Sequence, residues 1–270
     1  MYLKNRKSYF NRVTYMTEIN LILLPALGFL IGLFVTMIGG GGGVFFVPVL
    51  TLLFHTSTQI AVATSLASIL PVTVMGAYSH HRQGNVDVRT GLILGVGAIL
   101  GVSAGAYIAN MLSSLLLKKF FGVFLLILTI PMVRNASKRY RKEKTSTAER
   151  FRRVMGFFFG IASGLMAGIF GISGTPPLIA GLYSLGLPAE VVVGTSVFVL
   201  IFNSITGVIG YFLLGQFNLI LIILLGGGGA AGAFLGPKLL RKIKKETLEK
   251  IYAPLFVTIN LIISFAMIFL

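Results

Sequence analysis

Two glycine-rich turns carry the chemistry this chain could do. The first, Ile38-Gly39-Gly40-Gly41-Gly42-Gly43-Val44, sets five glycines in a row, and the second reads Gly171-Ile172-Ser173-Gly174-Thr175. Each precedes an apolar segment, Val44–Phe54 and Thr175–Leu185, of roughly 11 residues, about 16 Å as a helix. The first N–H groups of a helix have no intrahelical partner, and the helix dipole makes that end electropositive. Such an end favours an anion. Glycine tolerates positive φ and lets a ligand approach the backbone closely. Gly41, Gly42 and Gly43, with Ser173, Gly174 and Thr175, are therefore candidate anion contacts.

Hydroxyls recur nearby in the same order. Thr64-Ser65 and Thr195-Ser196 each stand early in a long apolar run, where they could donate to an oxyanion; the plain alternative is a bond back to the carbonyl four residues earlier. Asn203 lies in the middle of an apolar run and needs a partner there, which makes it a candidate for lining a polar path. Proton coupling would need a titratable group, but Glu18, Asp87, Glu143, Glu149, Glu190, Glu246 and Glu249 all fall at the edges of apolar runs or between them. His80 and His81 could serve, or could simply anchor a helix end beside Arg82, and His55 has the same two readings. A substrate that itself changes protonation would remove the need for any carrier residue. An intramembrane hydrolase would require paired carboxylates, a metal cluster or a serine with a base in reach. Neither Thr-Ser pair has a histidine or acid within a few residues, so no catalysis, metal or cofactor is expected.

The elements that position these groups follow from composition. The 270 residues are 56% hydrophobic and 11% charged, with no cysteine and a formal charge of +16. That is a polytopic membrane protein, and disulfides and thiol chemistry are excluded. Apolar stretches near 19–38, 59–79, 90–110, 118–133, 154–170, 190–214, 219–236 and 251–269 predict an all-α fold. About eight long transmembrane helices and two short half-helices are expected, because about 20 residues cross about 30 Å of hydrocarbon. The 23 Lys and Arg gather at 4–12, 82–89, 118–119, 134–153 and 238–250, at or between the span edges. This segregation points to anionic lipid head groups and orientation signals, and away from nucleic acid. The basic start resembles a signal-peptide n-region, but the apolar run after it has spanning length and no small-residue cleavage site, so 19–38 is read as a retained span. Met16 is an alternative natural start. Gly28/Gly32, Gly97/Gly101/Gly105 and Gly156/Gly160/Gly164 have the spacing of helix-packing contacts.

A constant offset of 131 residues pairs Ile38 with Ile169, Gly43 with Gly174, Thr64-Ser65 with Thr195-Ser196, Gly84 with Gly215, and Gly97, Gly101 and Gly105 with Gly228, Gly232 and Gly236. This internal duplication divides the chain into a basic arm (1–18), a first repeat (19–133), a basic linker (134–153) and a second repeat (154–270). With the linker and the basic loop 238–250 both cytoplasmic, the repeats come out inverted. His80, His81, Arg82 and Arg89 then fall inside, and the uncharged Gly215-Gln216-Phe217-Asn218 outside. The basic N-terminal arm alone points the other way.

The glycine turn with its short helix, Ala63-Thr64-Ser65 and Gly194-Thr195-Ser196, the turn His81-Arg82-Gln83-Gly84-Asn85-Val86-Asp87 and the two-half layout resemble the TauE/SafE family of sulfite and organosulfur anion exporters. The resemblance covers about 19–270. It implies a multi-pass cell-membrane secondary transporter moving sulfite, sulfoacetate or a related anion outward with protons. The substrate anion and membrane lipids are the expected partners, and homodimerisation stays open. A passive anion channel is the nearest alternative function. In the second half Ser173 and Pro176-Pro177 stand where the family pattern has its glycine run, and Phe212 matches His81.

Overall fold

The computed structural model describes residues 18–38, 42–134, 149–240 and 245–270. The basic N-terminal arm, Gly39–Gly41 and most of the linker lie outside the described residues, and with them the candidate contact Gly41.

Among the described residues every element is helical: α1 (Glu18–Ile38), α2 (Gly43–Pro48, continued by a π-helical turn Val49–Leu53), α3 (Thr58–Arg82), α4 (Val88–Met111), α5 (Ser114–Arg134), α6 (Glu149–Phe170), α7 (Thr175–Ser184), α8 (Ala189–Leu213), α9 (Leu219–Leu221, with a π-helical turn Ile222–Gly226), α10 (Gly227–Leu240) and α11 (Lys245–Phe269). The all-α fold read from the apolar stretches is the fold observed. Among the described residues three helices, α3, α4 and α8, are each long and apolar enough to cross a membrane; the shorter apolar helices include Ile22–Phe34, Gly43–Leu53 and Val154–Phe170. Apolar side chains such as Met75, Val96, Leu100, Ile209 and Leu213 face outwards, while Thr64, Ser65, Ser163, Thr195 and Asn203 are buried. That distribution suits a hydrocarbon solvent.

Helix boundaries are set by local signals. Gly84 N–H donates to His81 O and Asn85 N–H to His80 O, both at 3.0 Å. Gly215 and Gln216 make the same pair of bonds to Phe212 O and Tyr211 O, at 3.0 and 2.9 Å. Both are six-to-one glycine caps that stop a helix. The following helix is then started by a side chain: Asp87 accepts from Thr90 N–H at 3.0 Å and Asn218 from Leu221 N–H at 3.2 Å. The first residues of α1, α3, α4 and α5 (Glu18, Thr58, Val88, Ser114) and of α6, α8, α9 and α11 (Glu149, Ala189, Leu219, Lys245) share the offset that pairs Gly84 with Gly215.

Glycine determines which helices touch. A Cβ on Gly97, Gly101 or Gly105 would strike the backbone of α6 at Phe157, Ile161 and Leu165 in turn, so α4 and α6 run parallel with their backbones in contact. Gly228 and Gly232 meet Pro25 O and Phe29 O in the same way, packing α10 parallel to α1. These are small-residue seams of the kind membrane helices use. Each joins a helix before the linker to one after it. Between α3 and α8 the order reverses: Gly207 faces Leu66 and Gly76 faces Val197, so these helices are antiparallel. Gly91 against Phe198 and Gly95 against Phe202 make α4 and α8 parallel. Since α6 and α8 both run parallel to α4, the chain between Phe170 and Ala189 must return to the end it left. Residues 171–174 and α7 make that return.

A seam of this closeness has a measurable signature. Gly101→Ala puts a methyl on Ile161 O and within 2.8 Å of Leu165 N, so thermal unfolding in detergent should report a loss of about 1–3 kcal/mol. Gly227→Ala meets nothing within 4 Å and should be neutral or stabilising by about 0.5–1 kcal/mol, the usual gain of alanine over glycine in a helix.

Candidate functional site

The return turn is a strained piece of backbone held by side chains. Gly171 and Gly174 have φ of 67° and 80°, a left-handed conformation that residues with a Cβ rarely adopt. Gly171 N–H continues α6 by donating to Ala167 O at 2.7 Å, and Gly174 N–H turns back onto Ile172 O. The carbonyls that the turn leaves over are taken by two long helices. Ser65 Oγ of α3 donates to Gly171 O at 2.9 Å, and Asn203 Nδ2 of α8 donates to Ser173 O at 2.8 Å. The second Asn203 N–H goes to Ser163 Oγ of α6 at 3.0 Å. Asn203 lies near the middle of the 25-residue α8, which sets the turn between the helices rather than at their ends.

The two glycine turns meet. A side chain on Gly43, the first residue of α2, would collide with Gly171 O and come within 2.9 Å of Ile172 Cα. One on Gly171 would come within 3.0 Å of Val62 Cα and 3.2 Å of Val47 Cγ2. Two glycines are required at this crossing because the backbone of the start of α2 lies directly on the turn before α7. In α2 the first helical bonds run from Phe45 and Phe46 N–H to Gly42 O, each at 3.0 Å, so Gly43 and Val44 N–H stand ahead of the helical ladder. The start of α7 is poorer in donors. Pro176 and Pro177 have no N–H, so Thr175 is the one residue of that first turn with an unspent backbone donor. Hydroxyls stand beside it: Ser173 Oγ and Thr175 Oγ1 are hydrogen-bonded at 3.0 Å.

The four candidate hydroxyls of α3 and α8 are used differently. Ser65 holds Gly171 O. Ser196 Oγ donates to Val192 O, four residues back, at 2.7 Å. Thr195 Oγ1 accepts from Asp87 N–H at 2.9 Å, tying the α3–α4 turn to α8. Thr64, its counterpart at the sequence offset, is fully buried and its Oγ1 has no partner. Ser68 Oγ, Ser204 Oγ and Asn203 Oδ1 are also buried and unpartnered. Unpaired buried polar atoms are uncommon in proteins and mark places where water, an ion or a ligand completes the structure.

His80 and His81 end α3, about 22 Å from Ser65 at 1.5 Å per residue, and are not brought to the turns. His81 is exposed and His80 half-buried, its Cβ within 3.1 Å of where a side chain on Gly194 would begin. His55 is an exposed residue with φ of 49° beyond α2. No group of three His, Cys, Asp or Glu that could hold a metal occurs among the described residues. An open groove of about 510 Å³ on α6, lined by Val154, Met155, Phe158, Phe159 and Ala162, is apolar and separate from the turns. Two participants were not foreseen from sequence. Ser163 stands within the glycine stripe of α6, where only packing was expected, and Tyr211 donates its hydroxyl to Gly168 O at 2.6 Å. A lone hydroxyl amid apolar residues was the available signal for each.

Comparison with known proteins agrees with this architecture. The family model described as sulfite exporter TauE/SafE matches residues 24–263. The chain is 33% identical over 231 residues to "Probable membrane transporter protein YdhB" of Bacillus subtilis (strain 168), covering 84% of this chain and 94% of that protein. It is 27% identical over 251 residues to "Probable membrane transporter protein YunE" of the same organism, covering 85% and 92%. No solved structure matches it. With a family match running from α1 into α11 and relatives covered over nearly their whole length, this chain belongs to the TauE/SafE sulfite exporter family, as a multi-pass membrane transport protein and not an enzyme.

Proposed function

We propose that the protein is a proton-coupled secondary transporter that exports a small sulfur-containing anion, such as sulfite, sulfoacetate or a related organosulfonate, and binds it where the two glycine turns meet. The observation that carries this reading is the contact of Gly43 with Gly171, which brings the start of α2 onto the turn that begins α7. Both helix starts are short of side-chain bulk and rich in unspent donors or hydroxyls, the setting that suits an oxyanion. Gly42, Gly43, Ser65, Ser173, Gly174, Thr175 and Asn203 form the proposed site. Thr64, with its unpartnered hydroxyl, is the further donor, and Thr195 and Ser196 its counterparts on α8. Inverted halves are supported by the antiparallel packing of α3 on α8: two helices related by the duplication can oppose each other across a membrane only if the halves are inverted. The family name supports the sulfur anion and the outward direction. Because the described acids, histidines and bases stand away from the turns and the Tyr211 hydroxyl is spent on Gly168 O, the proton is assigned to the substrate, with His80 and His81 the only histidines on the helices packed there.

Flux of labelled sulfite or sulfoacetate into proteoliposomes, with and without an imposed pH gradient, tests the whole reading. Gradient-driven accumulation is expected. Flux indifferent to the gradient would make the protein a channel, and no flux of any anion would refute transport at this site. Gly174→Val should insert into the membrane yet abolish flux, since its side chain would enter the space of Ser163 and Asn203 at a positive φ. The two threonines should separate. Thr195→Val strands Asp87 N–H and should cost about 1–3 kcal/mol in thermal unfolding. Thr64→Val removes an unpartnered hydroxyl, so unfolding should be unchanged while anion affinity falls by about 1 kcal/mol.

A further inference from the structure

We infer that the transported anion enters the site still carrying a proton on one oxygen, and that Asn203 Oδ1 accepts the hydrogen bond from that O–H group. This rests on the anion site proposed above and specifies what that site selects. The orientation of the Asn203 amide is fixed by its neighbours. Ser173 O is a carbonyl and can only accept, so the atom 2.8 Å from it must be Nδ2. With the other N–H on Ser163 Oγ, both amide protons are spent. Oδ1 is then left as a fully buried acceptor with no donor, on a residue that is 0% exposed. The same side chain abuts the N-cap of α7: Nδ2 lies 2.8 Å from where a Cβ on Gly174 would sit.

A free acceptor at an electropositive helix start is wrong for a fully deprotonated oxyanion, whose every oxygen would repel it. It is right for a hydroxyl-bearing monoanion, which offers ionised oxygens to the N–H and O–H donors and one O–H to the acceptor. The donor supply agrees. Pro176 and Pro177 delete two of the N–H groups that an ordinary helix start would present, which suits one negative charge better than two. The neighbouring side chains supply no alternative proton. His80, His81 and Arg82 on α3, Asp87 and Arg89 on α4 and Glu190 on α8 stand at or beside helix ends; Tyr78 and Tyr107 are exposed; Tyr183 stands near the end of α7; Tyr211 donates to Gly168 O. The hydrogen-bond partners of Asn203 are Ser163 and Ser173. Carrying its proton across, the substrate couples the two fluxes with no bond made or broken in the protein.

The test uses the full-length protein in proteoliposomes, with sulfite as transported probe and methanesulfinate as competitor. Methanesulfinate, CH3SO2−, replaces the hydroxyl of hydrogensulfite, HOSO2−, by a methyl of similar size. Uptake at fixed total sulfite should fall about tenfold per pH unit above the second dissociation of the acid, and below that dissociation methanesulfinate should compete at least about tenfold more weakly than sulfite. Asn203→Leu, if it folds, should narrow that difference to about twofold or less. Competition by methanesulfinate as strong as by sulfite below that dissociation in the unaltered protein, or sulfite uptake that holds or rises with pH above it, would overturn the inference whatever the variant does. Absence of sulfite uptake at every pH would instead remove the anion site itself.

Discussion

Irregular backbone inside an apolar solvent has to find its hydrogen bonds within the protein, and this requirement organises the molecule around residues 171–174. A buried carbonyl left without a partner costs several kcal/mol. Ser65 and Asn203 meet the requirement from two helices that are far apart in sequence. Those bonds fix the height at which α7 begins, and with it the place where two helix starts converge. The polar residues of α3 and α8 are thus first a scaffold for the turn and only then a surface for a ligand.

The second level of organisation is the removal of side chains. Where Gly97, Gly101 and Gly105 lie on α6, and Gly228 and Gly232 on α1, helices approach until backbone meets backbone. Lipid tails are as apolar as leucine, so hydrophobicity gives such helices little reason to associate; close contact and weak Cα–H···O interactions supply it. The apolar bulk is turned outwards, where side chains such as Leu213 are 77% exposed. Small residues inside and large ones outside leave room between the helices for a turn that a leucine-packed core would have no space to hold.

Much of this was legible in the chain. The apolar stretches coincide with helices, and the breaks fall at Gly84 and Gly215, where a six-to-one cap closes each helix. The short segments after both glycine turns were visible because their length is insufficient for a span. What each hydroxyl does was not legible. Ser196 bonds its own helix, Ser65 the turn of another, and Thr195 the amide of Asp87. Their flanking sequences are alike, and the difference arises from where helices cross, which local spacing does not encode. Ser163 was hidden for the opposite reason: the glycine stripe around it explains α6 so well as a packing surface that one hydroxyl within it drew no separate reading.

The glycine seams also dictate an order of assembly. The small-residue face of α1 has no mate until α10 is made, some two hundred residues later in synthesis, and that of α4 waits for α6 across the linker. A chain interrupted between its halves would therefore leave both faces bare to lipid. Insertion of the early helices and their final docking become separate events, the second set by the arrival of the last part of the polypeptide.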